Sequence, residues 1–575
     1  MKIFEGLSII NKKDRKKFFK ISFLQILKSL LEVISITSLI PLIYLLVKRD
    51  QFLEIYNNKV KSFEKINLQF ENFDNLLIFF LISLFCIFFT KTVYSFICFK
   101  YEIKFQQKLV TLLSTELFGT YLNLDFEKIN LRQKNEIVRN LNSEINHYVK
   151  FYIQPLYLII NELCKIIGIS ILLFVYNPYI FLIGFSILII IFLVFKIFFE
   201  KKTNEIGEQR LNYSSLLLKY IQEGIDSLKE IKLTRNKNYF KNLFNNILIK
   251  NAKVILRYNL ILYYPKNIIE LISFSSILFI IFISFFLFNE DFSSILITLA
   301  IFCAALFKLL PSLNMTYQYY TQIMYSKKGI DHLKKEFKDI NKYSNIISEK
   351  NNLPNINTIK LENLSYKYPH STNYIFENLN LEFYKGKIYG ISGPSGSGKS
   401  TFVNIIMGFL NPQIGKVIVN NKYNIIENLN SWYQQISYVP QKIFLTNDTI
   451  KKNIAFAEKE DKINSVLINK IIQKNKIDFI NSNNGIEKKV GQDGVFFSEG
   501  QRQRIGIARS LYHDRKVIFF DEFTSALDKD TEEKILNNVR NIKEDKIIFI
   551  ISHSNDVLKF VDNLIEIDKG KITLK

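Results

Sequence analysis

Residues 393–401 read Gly393-Pro394-Ser395-Gly396-Ser397-Gly398-Lys399-Ser400-Thr401, a complete G-x-x-x-x-G-K-S loop. It lies between the apolar run Ile388-Tyr389-Gly390-Ile391 and the helical pattern Phe402-Val403-Asn404-Ile405-Ile406. Strand, glycine-rich loop and helix in that order form a phosphate cradle. The glycines let backbone N–H groups curl around the β- and γ-phosphates, Lys399 neutralises them, and Ser400 offers a hydroxyl to Mg²⁺. These residues predict that the chain binds a nucleoside triphosphate, with ATP and Mg²⁺ as the expected pair.

Working outward, the sequence before this loop is dominated by apolar segments. Of 575 residues, 48% are hydrophobic and 52 are Phe, which is rich for a soluble protein and predicts a part embedded in a lipid bilayer. The net charge of +23 raises nucleic acid as a partner, but its distribution argues against that. Lys2, Lys12, Lys13, Arg15, Lys16, Lys17 and Lys20 precede the first apolar run, with only Glu5 and Asp14 against them. After that run Lys48, Arg49, Lys59, Lys61 and Lys65 are balanced by Asp50, Glu54, Glu64, Glu71 and Asp74. The asymmetry places the N-terminus in the cytoplasm, and no nucleic-acid partner is expected. Cys86, Cys98, Cys164 and Cys303 all fall in apolar stretches without metal-ligand spacing and read as small core hydrophobes.

At about 20 apolar residues per crossing, spans are expected near 21–47, 75–99, 152–176, 179–199, 265–288 and 294–318. The first is too long for a signal-peptide core and stays as an anchor. Asn177-Pro178 and Asn289-Glu290-Asp291 read as short outer turns, whereas 100–151 and 200–264 are long, charged and helical in pattern and lie inside. Asp125–Asn130 and Gly224–Ile231 are the candidates for short helices that dock on the nucleotide domain. Phe52, Tyr56, Val60 and Phe63, at helical spacing within 50–70, suggest an interfacial helix. The expected domains are 1–334 in the membrane, a polar linker over 335–357, and 358–575 for the nucleotide.

Val517-Ile518-Phe519-Phe520-Asp521-Glu522 is a buried strand ending in two carboxylates. Downstream of a phosphate loop, Asp521 is expected to hold Mg²⁺ through water and Glu522 to act as general base on the attacking water. The remaining pieces resemble the ABC ATPase family. That resemblance implies that Tyr368 in Ser365-Tyr366-Lys367-Tyr368-Pro369 stacks on adenine, and that Gln441 in Tyr438-Val439-Pro440-Gln441 contacts Mg²⁺ and the attacking water. It also implies that His553 in Ile550-Ile551-Ser552-His553 touches the γ-phosphate, and that Asp528 in Ser525-Ala526-Leu527-Asp528 lies at a dimer interface. The family's Leu-Ser-Gly-Gly-Gln signature stands here as Phe497-Ser498-Glu499-Gly500-Gln501, with a glutamate for the first glycine. Ser498, Gly500 and Gln501 remain, and the resemblance assigns Ser498 and Gly500 to the γ-phosphate held by a partner copy. One chain carries one nucleotide domain, so a homodimer sandwiching two ATP is the simplest assembly. The implied fold is an α-helical membrane domain of six-span ABC exporter type joined to an α/β P-loop ATPase.

Charges inside spans bear on the cargo, because each is costly unless it faces a cavity or a partner. They are Lys28, Glu32, Lys91, Glu162, Lys165, Lys266, Glu270 and Lys308. The residues leave two readings open: Lys91, Lys266 and Lys308 line an inward cavity, or the lysines snorkel and pair with glutamates. The stretches Glu32–Pro41, Pro265–Glu270 and Leu306–Ser312 resemble lipid-linked oligosaccharide flippases of the PglK type. In that family arginines at the positions of Lys91, Lys266 and Lys308 meet the pyrophosphate of a polyprenyl-linked glycan. Lysine keeps the charge and loses the bidentate fork. The resemblance implies an ATP-driven flippase of the bacterial inner membrane. The alternatives are an exporter of peptide, lipid or drug, or an ATP-gated channel; the joint presence of Glu522, Gln441 and His553 favours turnover over gating.

Overall fold

The computed structural model describes residues 2–47, 73–176, 178–286, 292–344, 353–369, 371–474, 477, 485–568 and 570–575. The expected interfacial helix at 50–70 and the turn at 289–291 lie outside them. The chain divides into two units, one of 1–123 with 132–341 and one of 124–131 with 342–575.

The first unit is helical throughout. Its principal helices are α1 (Lys12–Thr37), α2 (Phe73–Leu122), α4 (Gln154–Tyr176), α5 (Pro178–Asp226), α6 (Leu228–Thr234), α7 (Lys237–Phe286) and α8 (Phe292–Ser344); α3 (Phe126–Asn130) groups with the second unit. Four stretches among the described residues, 12–46, 74–122, 134–176 and 299–338, are long and apolar enough to cross a membrane. The expected span 179–199 falls in α5, and the described part of 265–288 falls in α7. The spans and the charged segments after them are thus continuous: α2 runs 50 residues and α5 runs 49, far beyond a bilayer's thickness. The chain also stays helical through Pro265 and Pro311. Ile36, Ile166, Ile169, Leu173, Ile301 and Leu309 knit α1, α4 and α8 into one core, and Ile206, Val254, Tyr258 and Tyr325 do so for α5, α7 and α8.

Helix α8 continues to Ser344, ten residues into the stretch expected as polar linker. Leu333 and Phe337, one turn apart, are both buried, and Glu336 accepts a hydrogen bond from Tyr121 at 2.9 Å and pairs with Arg132. Side-chain packing therefore carries the helix past the point where composition turns polar.

Between α3 and α4 the chain makes two single-turn π segments, Asn140–Glu144 and Val149–Ile153. They surround a polar cluster. Glu144 accepts from both Arg210 terminal nitrogens at 3.1 and 2.8 Å, and Arg139 sits 3.1 Å from His332. His147, stacked on Phe151 at 4.9 Å, is held down to a pKa of about 4 by burial and then by the Arg210 charge. Its ordinary value is about 6.5, so between pH 6.5 and 4 the unfolded chain binds the extra proton. Stability is expected to be full above pH 6.5 and to fall toward pH 4, by at most about 1.4 kcal/mol per unit from this group. His147→Phe keeps the stack and should flatten that acid limb in thermal unfolding at a series of pH values.

The second unit is α/β. Strands β1 (Thr358–Tyr366), β2 (Phe376–Tyr384), β4 (Ile414–Val419) and β5 (Tyr423–Asn424) form an antiparallel sheet in the order β2-β1-β4-β5. Strands β3 (Lys387–Ser392), β6 (Ile436–Val439), β7 (Val517–Asp521), β8 (Ile547–Ile551), β9 (Asn563–Asp568) and β10 (Lys571–Leu574) form the other, in the order β10-β9-β3-β8-β7-β6. All neighbours in it pair parallel except β9 with β10. The near-continuous apolar runs of β7 and β8, Val-Ile-Phe-Phe and Ile-Ile-Phe-Ile-Ile, are what a parallel strand covered on both faces requires. Helices α9 (Lys399–Ile406), α10 (Glu499–Tyr512) and α11 (Lys529–Asn541) flank it. The carboxyl ends of β3, β6, β7 and β8 lie side by side, where ligands of open α/β sheets bind.

Candidate nucleotide site and membrane cavity

The loop after β3 turns on three left-handed glycines, Gly393 at φ 153°, Gly396 at 80° and Gly398 at 106°. At Gly393 a Cβ would overlap the Ile567 carbonyl, so no other residue fits. Gly398 caps α9 and aims its N-terminus back across the loop. Lys399 Nζ donates to the Gly393 and Pro394 carbonyls at 2.8 and 3.0 Å. Ser397 Oγ is buried with no hydrogen-bond partner among the described residues. A buried hydroxyl without a partner is costly, and here it lies in a loop of backbone donors; the arrangement fits a phosphate.

The three remaining chemical groups arrive from different strand ends. Gln441, after β6, donates Nε2 to Glu522 Oε2 at 2.6 Å, and His553 Nε2, after β8, stands 3.6 Å from Glu522 Oε1. Glu522 itself is a non-glycine residue at φ 46°, a strained conformation of the kind that gathers at functional sites. The parallel register sets this convergence: Val439 lies opposite Phe520, and Asp521 opposite Ile551. Asp521 accepts from the Tyr438 hydroxyl at 3.1 Å, and burial lifts its pKa above the carboxylate range while that hydrogen bond opposes the rise. Tyr438 was not singled out in the sequence; its signal is its place three residues before Gln441 on the strand beside β7. Among the described residues no three His, Cys, Asp or Glu cluster as a metal site. A magnesium ion held with a nucleotide needs none, since phosphates supply the other oxygens, and Ser400, Gln441 and Asp521 are the matching donors.

Tyr368 is 42% exposed, and its hydroxyl lies 3.0 Å from Thr401 Oγ1. In the signature, Ser498 caps α10 by accepting from Gln501 N at 3.3 Å, and Gln501 Oε1 accepts from Ser498 N at 3.0 Å. The two middle positions differ sharply. A Cβ on Gly500 would stand 2.5 Å from the Ala526 carbonyl, whereas Glu499 is exposed in the first turn of α10, where the helix dipole favours its charge. Gln503, another residue that composition did not mark, holds the same turn from below, donating to Ser525 Oγ at 3.1 Å and accepting from Ala526 N at 3.2 Å. Asp528 caps α11 through Thr531 N at 3.0 Å, and hydrogen bonding with the Thr531 side chain and then with its N lowers its pKa. Gly500→Ala is expected to displace this turn and lower ATPase turnover about tenfold. Glu499→Gly should change it by less than about threefold, upward and less so at high salt; steady-state phosphate release reads both.

In the helical unit, a cavity of about 240 Å³ is lined by Glu32, Lys165, Phe307, Lys308, Pro311 and Ser312, with Val33, Ile36 and Ile169 behind them. Lys165 lies 3.2 Å from Glu32 and 2.6 Å from Glu162, so its charge is spent within the protein. Lys308 makes no ion pair among the described residues. Lys91 lies within electrostatic reach of Lys308, Glu32, Lys165 and Lys28, with its Nζ 5.3 Å from the Phe88 ring centroid. Lys266 is exposed and does not line this cavity; among the described residues it makes no ion pair with Glu270. Of the three lysines, Lys308 lines the cavity, Lys91 is within electrostatic reach of Lys308 without lining it, and Lys266 does not line it. Glu32 and Lys165 join Lys308 in that lining, having stood in the sequence only as charges within spans.

Residues 376–525 match the ABC transporter family and residues 50–312 the ABC transporter transmembrane region. An export ATP-binding/permease protein of Rickettsia bellii is 27% identical over 486 residues, covering 81% of this chain and 80% of its own. The ATP-dependent lipid A-core flippase of Pectobacterium atrosepticum is 33% identical over 215 residues, 37% of either chain. A bacterial Atm1-family ABC exporter solved with ATP bound superposes with a TM-score of 0.78 at 17% identity, over 98% of this chain and 95% of its own.

Proposed function

Because the chain belongs to the ABC transporters, as a transmembrane region fused to one ATPase domain that drives export with ATP, we propose that its cargo is a lipid-linked oligosaccharide. It would carry a polyprenyl-pyrophosphate glycan from the cytoplasmic to the outer leaflet of a bacterial inner membrane, with the N-terminus and the ATPase domain in the cytoplasm. The observation that carries this reading is the cavity lined by Lys308, with Lys91 within electrostatic reach of it, while Glu32 and Glu162 engage Lys165. A surplus cation among apolar walls suits a phosphorylated lipid headgroup and repels a cationic drug. Export of another phosphorylated lipid is the second reading, favoured by the similarity to a lipid A-core flippase.

In this reading residues 1–334 carry the cargo, 335–357 connect, and 358–575 hydrolyse ATP in a homodimer. The loop 393–401 and Lys399 hold the phosphates, and Tyr368 carries the base. Ser498, Gly500 and Gln501 of one copy close on the nucleotide of the other, with Asp528 at the seam. Ser400, Gln441 and Asp521 would hold Mg²⁺, which shields phosphate charge. Glu522 accepts the proton of the attacking water; Gln441 fixes one of its oxygens, and His553 is placed to meet the γ-phosphate.

The test is flipping of a fluorescent polyprenyl-pyrophosphate oligosaccharide in proteoliposomes. Lys91→Ala with Lys308→Ala should lower molecules flipped per ATP hydrolysed at least about tenfold, the loss of one charge-assisted contact. Lys266→Ala should lower it less. A parent protein that hydrolyses ATP and moves no such lipid would refute the cargo, and a dominant effect at Lys266 would refute the cavity.

A further inference from the structure

The segment 124–131 groups with the nucleotide unit although the chain on both sides of it belongs to the helical one. Its helix α3 lays the Phe126 ring 5.0 Å from Phe409, which in turn lies 5.7 Å from Tyr433. The next residue makes a polar contact of a different kind: Glu127 Oε1 accepts the Tyr366 hydroxyl at 3.2 Å. Tyr366 ends β1 and is wholly buried in the core of the nucleotide unit. Its ring stands edge-on to Tyr368, 5.4 Å between centroids at 81°. Tyr368 then meets Thr401 of the phosphate loop at 3.0 Å. An unbroken line of contacts runs from α3 through two tyrosines to the nucleotide site.

We infer that Tyr366 is a positioning residue: Glu127 on the docking segment holds its ring, and that ring sets the aromatic platform Tyr368 for the nucleotide base. This rests on the reading of Tyr368 as that platform. The physical basis is hydrogen-bond satisfaction. Burial and the Glu127 carboxylate push the Tyr366 phenol above its ordinary pKa, so it stays a donor at every working pH. A buried phenol O–H that loses its acceptor must turn to find another, and turning this ring gives up its edge-to-face contact with Tyr368. Movement of the segment that joins α2 to the rest of the membrane chain therefore alters base affinity.

The experiment is equilibrium nucleotide binding to the full chain in detergent without Mg²⁺, in which ATP and inorganic tripolyphosphate each displace a fluorescent ATP. Glu127→Ala leaves the hydroxyl unpartnered and should weaken ATP about three- to tenfold while leaving tripolyphosphate unchanged. Adding Tyr366→Phe removes the hydroxyl and should return ATP to within about twofold of the parent, a non-additivity that a general loss of fold cannot produce. Unaltered ATP binding in Glu127→Ala, or equal weakening of both ligands, overturns the relay. Tyr368→Ala is the reference: if it leaves ATP affinity intact, the platform itself is refuted and the relay with it.

Discussion

Glu522→Gln is expected to cut steady-state ATP turnover by about 10²–10⁴-fold while ATP continues to bind. The amide has nearly the shape of the carboxylate, but it cannot take a proton from water. The contact in which Gln441 Nε2 donates to Glu522 Oε2 at 2.6 Å is kept only if the new amide turns its carbonyl toward that donor and its NH₂ toward His553, which stands 3.6 Å from the other oxygen. Nothing in the phosphate loop changes, so the affinity for nucleotide is kept and the ATP-bound state should accumulate. Phosphate release and retained radiolabelled ATP, measured on the same preparation, separate the two effects. Turnover within tenfold of the parent would remove Glu522 from the role of base and leave Asp521 or His553 to be tried.

The second large effect is on folding. Glu144 is 1% exposed and Arg210 7%, and the two terminal guanidinium nitrogens each donate to one carboxylate oxygen. The Tyr325 ring lies 5.6 Å from the guanidinium, and at Gly329 a Cβ would stand 2.9 Å from Glu144 Oε2. The pair is buried and tightly packed in this site. Glu144→Ala strands Arg210 in it, and the expected loss is about 3–5 kcal/mol, enough to lower the melting temperature of the detergent-solubilised protein markedly. Removing both charges, as Glu144→Leu with Arg210→Met, should recover most of that loss because no ion is left unpaired. Equal destabilisation by the single and double variants would show that shape rather than charge governs the site.

Local chemistry made much of this protein legible from sequence. The phosphate loop needs glycine at left-handed positions within a few residues, and the spans need about 20 apolar residues in a row. Both are short-range requirements that composition and spacing record directly. The polar stretch 335–357 misled for the same reason: composition reports solubility, whereas the helix to Ser344 persists because Phe337 and Glu336 find partners on distant elements. Likewise the sequence marked Lys91, Lys266 and Lys308 as equals, since each is one lysine in an apolar span.

Whether a charge is spent or available depends on what lies across the helix interface. Glu32 faces Lys165, 133 positions later in the chain, and Lys308 faces neither carboxylate in an ion pair. Glu127 and Tyr366 are 239 residues apart, and Glu144 and Arg210 are 66 apart. The sequence alone determined that the chain binds a nucleoside triphosphate and enters a membrane, because both properties reside in contiguous residues. Only the tertiary structure decided which charges are neutralised, which tyrosine stands against Tyr368 and with which unit the segment 124–131 groups, because those depend on distances that chain separation does not encode.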